Sequence, residues 1–129
     1  MRSRHVSIVI PVPVEVVYDF VADPENLPKW AAGLAGTEVR RQGEVLFADA
    51  PMGTVTVRFV PRNTLGVVDH DVTLPNGDVV HNPLRVLAHP DGTEVVFTLR
   101  QLAMSDDEFD RDAGMVAEDL ARLKSLLES

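Results

Sequence analysis

The chain has 129 residues, a formal net charge of −8 and no cysteine, which is enough for one domain (1–129) with a single core. The acidity excludes nucleic acid as a partner, since phosphate recognition needs clustered Lys and Arg, and the missing cysteine excludes disulfides and thiolate chemistry. Met1-Arg2-Ser3-Arg4-His5 lacks a signal peptide's apolar run, and no stretch approaches the roughly 20 apolar residues of a membrane span, so a soluble, cytoplasmic protein without membrane insertion is expected.

From the N-terminus, Val6, Ile8 and Ile10 alternate with His5, Ser7 and Val9, the period of a strand. Pro11 and Pro13 end it. Pro13 suits the first turn of a helix, where its missing N–H costs nothing, and Val14–Ala22 carries Val16, Val17, Phe20 and Val21 on one side. Asp23-Pro24-Glu25 starts a second helix with an Asp cap and an acid near the positive end of the dipole, and Pro28 keeps it short. From Thr37 the period becomes two, and Thr37–Arg41, Glu44–Asp49, Gly53–Val60, Gly66–Leu74, Asp78–Ala88 and Thr93–Ala103 read as strands. Short turns such as Asn76-Gly77 and Asp91-Gly92 join them, so the strands form an antiparallel meander.

The last stretch opens on a capping box, Ser105 to Glu108. Phe109, Ala113, Val116, Leu120, Leu123 and Leu127 then form one apolar stripe, with Asp107–Arg111 and Glu118–Arg122 as flanking ion pairs. A long amphipathic helix after a run of strands must lay that stripe across a sheet.

Alternation assigns the two faces of the sheet. If neighbouring strands pair in order, Arg58, Asp69, Asp71, Arg85, Glu94 and Arg100 share a solvated outer face as cross-strand ion pairs. The inner face then holds Val45, Phe47, Val55, Val57, Phe59, Val68, Val72, Leu84, Val86, Val95, Phe97 and Leu99. Leu46, Val67, Leu87 and Val96 fall outside and can join into the patch of a homodimer. Pro83 can bulge its strand, which leaves the facing of His81 and Asn82 open.

The run from Val12 to Trp30, VPVEVVYDFVADPENLPKW, resembles the N-terminal signature of the SRPBCC superfamily. That superfamily includes START lipid-transfer domains, birch-pollen-allergen-like proteins and the polyketide cyclase/dehydrase and lipid-transport family. Gly66–His70 and Val95–Leu99 are similar to small bacterial members. The resemblance implies an α+β helix-grip fold: a seven-stranded curved antiparallel sheet in the order β-α-α-β6-α, with the terminal helix across its concave face. It also implies a cavity between sheet and helix for a hydrophobic small molecule, with no cofactor.

Among candidate site residues His70 stands first, because its parity with Val68 and Val72 places an imidazole inside an apolar face. There it can act as an acid–base group, orient a ligand carbonyl, or simply be hydrogen-bonded to backbone. Asn82 and Gln101 can anchor a ligand's polar end. Trp30 is placed at the cavity mouth, and Phe47, Val57, Phe59, Leu84, Phe97, Leu99, Phe109 and Val116 supply apolar lining. His5, His70, His81 and His89 come from separate elements without HExxH spacing, so no metal site is expected. No GxSxG elbow supports a serine nucleophile.

Three functions remain on these grounds. The first is carriage or sequestration of a lipid-like or polyketide-like molecule. The second is a cyclase or dehydratase using His70, and the third is a protein–protein interaction module.

Overall fold

The computed structural model describes residues 1–51 and 53–129. Its elements run β1 (Ser3–Ile10), α1 (Val14–Val21), α2 (Leu27–Trp30), β2 (Glu38–Gln42), β3 (Val45–Ala50), β4 (Gly53–Phe59), β5 (His70–Thr73), β6 (Val79–Asn82), β7 (Leu84–His89), β8 (Gly92–Arg100) and α3 (Asp106–Glu128). The expected second helix is broken into pieces, because prolines at 24 and 28 interrupt the amide ladder. A 3₁₀ turn over Pro24–Asn26, capped by Asp23 through Glu25 N–H at 3.1 Å, precedes α2. A second 3₁₀ turn spans Ala32–Leu34.

All strand pairing is antiparallel, in a five-stranded sheet β2-β3-β4-β5-β6 and a three-stranded sheet β1-β8-β7. The expected strand Asp78–Ala88 is thus two strands, parted at Pro83, which has no N–H to donate. The backbone still crosses the break. Val68 N–H donates to Leu84 C=O and Val86 N–H to Gly66 C=O, each at 2.8 Å, and Val67 bridges Arg85. Gly66 is required there: with φ +73°, an added Cβ would sit 2.1 Å from the Val86 carbonyl oxygen.

Asp69 reinforces the same junction. Its carboxylate accepts Leu84 N–H at 2.9 Å and takes Arg85 in a two-pronged pair, both contacts 2.9 Å. Of the ion pairs expected among these charged residues, Asp69 with Arg85 forms, but its acid is buried rather than on a solvated face. Arg58 stands opposite Asp71, yet Asp71 hydrogen-bonds His81 at 2.6 Å instead.

The sheet's inner face departs from expectation on one strand. In β3, Leu46 and Ala48 are fully buried and face Val57 and Val55, whereas Val45 and Phe47 turn outward. Every residue from Val45 to Ala48 is apolar, so alternation alone cannot choose between the two phases. The register that pairs Ala50 with Gly53 makes the choice. The outward patch consequently loses Leu46; Leu87 stays 41% exposed on that face.

The capping box forms as expected, with Glu108 N–H donating to Ser105 Oγ at 3.1 Å and Ser105 N–H to Glu108 Oε1 at 3.0 Å. Helix α3 packs on β1, β8 and α2. Leu120 and Leu123 enter a core shared with Ile10, Val17, Val21, Trp30, Val57 and Leu84. Arg2–Asp106 (3.1 Å) and Arg4–Asp110 (2.9 Å) rivet the helix to β1. Arg122 pairs with Asp119 rather than with Glu118, and it also donates to the Trp30 carbonyl, because the loop after α2 lies on that side of the helix. No helix among the described residues is long and apolar enough to cross a membrane.

Candidate functional site

His70 opens β5 directly after the Gly66–Asp69 crossing, and its side chain points inward with Val68 and Val72. It is 4% exposed. The ring stacks on Phe59 at 5.1 Å between centroids and meets Phe97 edge-on at 6.1 Å. Nδ1 lies 3.0 Å from the Val68 carbonyl oxygen. A carbonyl can only accept, so Nδ1 carries the proton. Burial, outweighing that hydrogen bond and the nearby Asp69, pushes the imidazole pKa down, and the ring is neutral at pH 7. In that tautomer Nε2 presents a lone pair, and it makes no hydrogen bond among the described residues.

Asn82 is the cross-strand partner of His70, so both side chains share the inner face, roughly 5 Å apart at Cβ. Pro83 interrupts the ladder without shifting parity: His81 stays outside on Asp71, and Leu84 lies inside, opposite Phe97. Asn82 is half-buried, and its amide has no hydrogen-bond partner among the described residues. The inner face therefore brings together His70, Asn82, Phe59, Leu84 and Phe97 from five strands.

Trp30 is 2% exposed and belongs to the core rather than to a mouth or lid, and its Nε1 is a buried donor without an acceptor among the described residues. Val57 and Leu99 are buried on the inner face, and Val116 is half-buried against the core. Phe109 is fully buried at the helix start, beneath the Arg2 guanidinium at 5.2 Å.

Two expected lining residues are placed elsewhere. Phe47 lies on the outer face under Arg40, 5.6 Å from the guanidinium, for the turn-register reason given above. Gln101 spends its amide on the Met104 carbonyl (3.0 Å) and Asp106 (2.8 Å), which holds the turn into α3.

Asp112 was not anticipated. It occupies a place on the apolar stripe of α3, three residues after Phe109 and four before Val116. Burial raises its pKa, and the Asp119 carboxylate adds to the rise. An acid interrupting a heptad-like stripe was the available signal.

Two concavities lie outside the helix–sheet interface. One, of about 270 Å³, is lined by Glu44, Arg58, Pro61, Asp71 and His81 at the outer end of β4 and β5 and reaches His70. The other, of about 490 Å³, crosses the outer face of β1, β8 and β7 beside Leu65, Arg85, Leu87 and Arg100. Among the described residues, no group of three or more His, Asp or Glu side chains is arranged to hold a metal ion.

Residues 1–128 match the model of a family described as polyketide cyclase / dehydrase and lipid transport. No curated protein matches the sequence. Solved structures share the fold at low identity. A protein of the dynemicin biosynthetic locus is 15% identical at a TM-score of 0.74, over 98% of this chain but only 47% of its own. This chain thus spans about half the length of that relative. A protein from Bacillus thuringiensis is 18% identical at a TM-score of 0.74, covering 99% of this chain and 100% of its own. A protein from Colwellia psychrerythraea, solved in solution as a dimer, is 18% identical at a TM-score of 0.74, over 99% and 97%.

Proposed function

This chain belongs to the polyketide cyclase / dehydrase and lipid transport family, and on that premise we propose that it binds an apolar small molecule between α3 and the inner face of the sheet. The role is that of a carrier or sequestering protein. One observation carries the reading: the apolar interior holds a buried polar atom with no partner among the described residues, Trp30 Nε1. Buried polar groups in folded proteins nearly always have partners, and each orphan costs about 1–3 kcal/mol. A bound molecule that supplies an acceptor to Trp30 Nε1 removes the cost.

The interior is filled by Leu120, Leu123, Val57 and Leu84 among others. Ligand entry therefore displaces part of that packing. Binding is favoured over catalysis because no carboxylate hydrogen-bonds His70: Asp71 is turned outward to His81 and Asp69 is committed to Arg85. In an acid–base mechanism His70 would have to take up and return the proton itself, with no carboxylate to orient it.

The test is extraction of the purified protein with organic solvent followed by mass spectrometry, together with displacement of an apolar fluorescent dye. A co-purifying apolar molecule, or saturable dye uptake, is the expected result. An interior that yields no molecule and takes up no dye refutes the proposal.

A further inference from the structure

We infer that the outer face of the β1-β8-β7 sheet is a second binding site, for an amphipathic organic anion: an apolar body that carries one carboxylate or sulfonate. The site is separate from the helix–sheet interior and does not rest on the binding proposed there.

The concavity on this face has a volume of about 490 Å³, inside the range of roughly 300–1,000 Å³ that small-molecule sites occupy. Its lining has an apolar part and a cationic part. Leu65, on the loop before the Gly66 crossing, is 77% exposed, and with Leu87, Val96 and Pro83 it forms an apolar lane that gains by being covered. The charged part runs against the composition of the chain. Acids outnumber Lys and Arg by 20 to 12, yet Arg85 and Arg100 line the groove with His5, and no Asp or Glu among the described residues does.

Arg85 already gives two nitrogens to Asp69, and Arg2 and Arg4 on the adjoining strand are taken by Asp106 and Asp110. Arg100 is exposed, and no acid pairs with it among the described residues. His5 stands opposite Thr98, whose hydroxyl holds its Nδ1 at 2.9 Å, while Arg100 stands opposite Ser3. His5 and Arg100 are therefore diagonal neighbours, about 7–8 Å apart, and one anionic head between them reaches both. At the other end of the face Glu94 lies opposite Leu87 and repels an anion. The head is thus directed to Arg100, and the apolar body runs over Val96 toward Leu65 and Leu87. An anionic lipid surface would present a similar head, but a net charge of −8 repels the chain from it.

The experiment titrates anilinonaphthalene sulfonate and its neutral counterpart, phenylnaphthylamine, against the wild-type protein and Arg100→Glu, with methyl NMR to locate each probe. On wild type the sulfonate is expected to move the methyl resonances of Leu65 and Leu87 and to leave those of Leu120 and Leu123 still, a readout that needs no variant. Arg100→Glu removes one exposed charge contact and adds a repulsion of similar size, which together weaken the sulfonate about tenfold. The neutral amine should bind both proteins alike. Added salt should weaken the sulfonate on wild type and have little effect on the variant. Failure of the sulfonate to bind, equal sulfonate affinity in the two proteins, or shifts at Leu120 and Leu123 in place of Leu65 and Leu87, each overturns the outer-face site. The interior proposal stands or falls separately, on the solvent extraction and the neutral dye.

Discussion

Replacing Asp69 by alanine removes the carboxylate that accepts Leu84 N–H beside Pro83, which has nothing to donate. Two losses follow. Leu84 N–H, buried, forfeits its acceptor at 2.9 Å, a cost of about 2 kcal/mol. Arg85 loses a two-pronged partner, but its side chain is 48% exposed and can return to water, so that term is discounted to about 1 kcal/mol. The sum, about 3 kcal/mol, is a large share of the ~5–15 kcal/mol that stabilises a typical domain. For a chain of this size it corresponds to a fall in Tm of roughly 10 °C. Asp69→Asn keeps an acceptor for Leu84 but loses the charge and, since its NH2 cannot accept, the Arg85 Nη2 bond, so its fall should be about a third as large. Thermal unfolding followed by circular dichroism measures both.

The pH dependence is a second arm of the same test. Burial opposes ionisation of Asp69, but the Arg85 guanidinium and Leu84 N–H outweigh it and hold the carboxyl below its usual 3.8. Between the two pKa values the unfolded chain binds more protons than the folded one. The stabilisation is therefore complete above about pH 4 and drains away as pH falls through the folded-state value. The gap between wild type and Asp69→Asn should close in acid. Variants that melt within ~2 °C of wild type at pH 7, where about 10 °C is expected for alanine, would show that the junction does not depend on this carboxylate.

Gly66→Ala should destabilise by more than about 3 kcal/mol, since positive φ and a backbone clash act together; denaturant unfolding with an unchanged midpoint would contradict the close approach to Val86. Phe47→Ala, on the outer face, should cost under about 1 kcal/mol and leave dye affinity unaltered; a lost dye site would return Phe47 to the interior. The lowered His70 pKa makes folding less favourable as pH drops below the ordinary 6.5, because only the unfolded chain readily takes up the proton. His70→Phe should flatten the stability profile just below pH 6.5, and an unchanged slope there would mean that the ring is charged when folded.

Much of the fold was legible because its signals are local. The Ser105–Glu108 box, the stripe from Phe109 to Leu127 and the turn glycines each depend on a few neighbouring residues, and the helix and hairpins appear where those signals place them. The position of His70 was legible too, since Val68 and Val72 flank it in phase. What escaped depends on register between strands. Val45-Leu46-Phe47-Ala48 carries no alternation, so the exposure of Phe47 followed from the turn geometry beyond it. The fate of Gln101 hung on a turn whose carbonyl at Met104 only the folded chain brings near. The ring tautomer of His70, on which its chemistry turns, hangs on a single carbonyl two residues away.

The division of the sheet at Pro83 has a consequence for how the chain assembles. Strands β2 to β6 pair in chain order, so their contacts close shorter loops than the pairing of β1 with β8. The other sheet pairs Ser3 with Arg100 and is sealed by α3, so it unites the two ends of the polypeptide and bears the larger entropy of loop closure. The hairpin half is thus the part that can nucleate, and the termini are the clasp that shuts afterwards. Pulse-labelled amides of β3 and β4 should gain protection before those of β1, and the opposite order would make the clasp the nucleus.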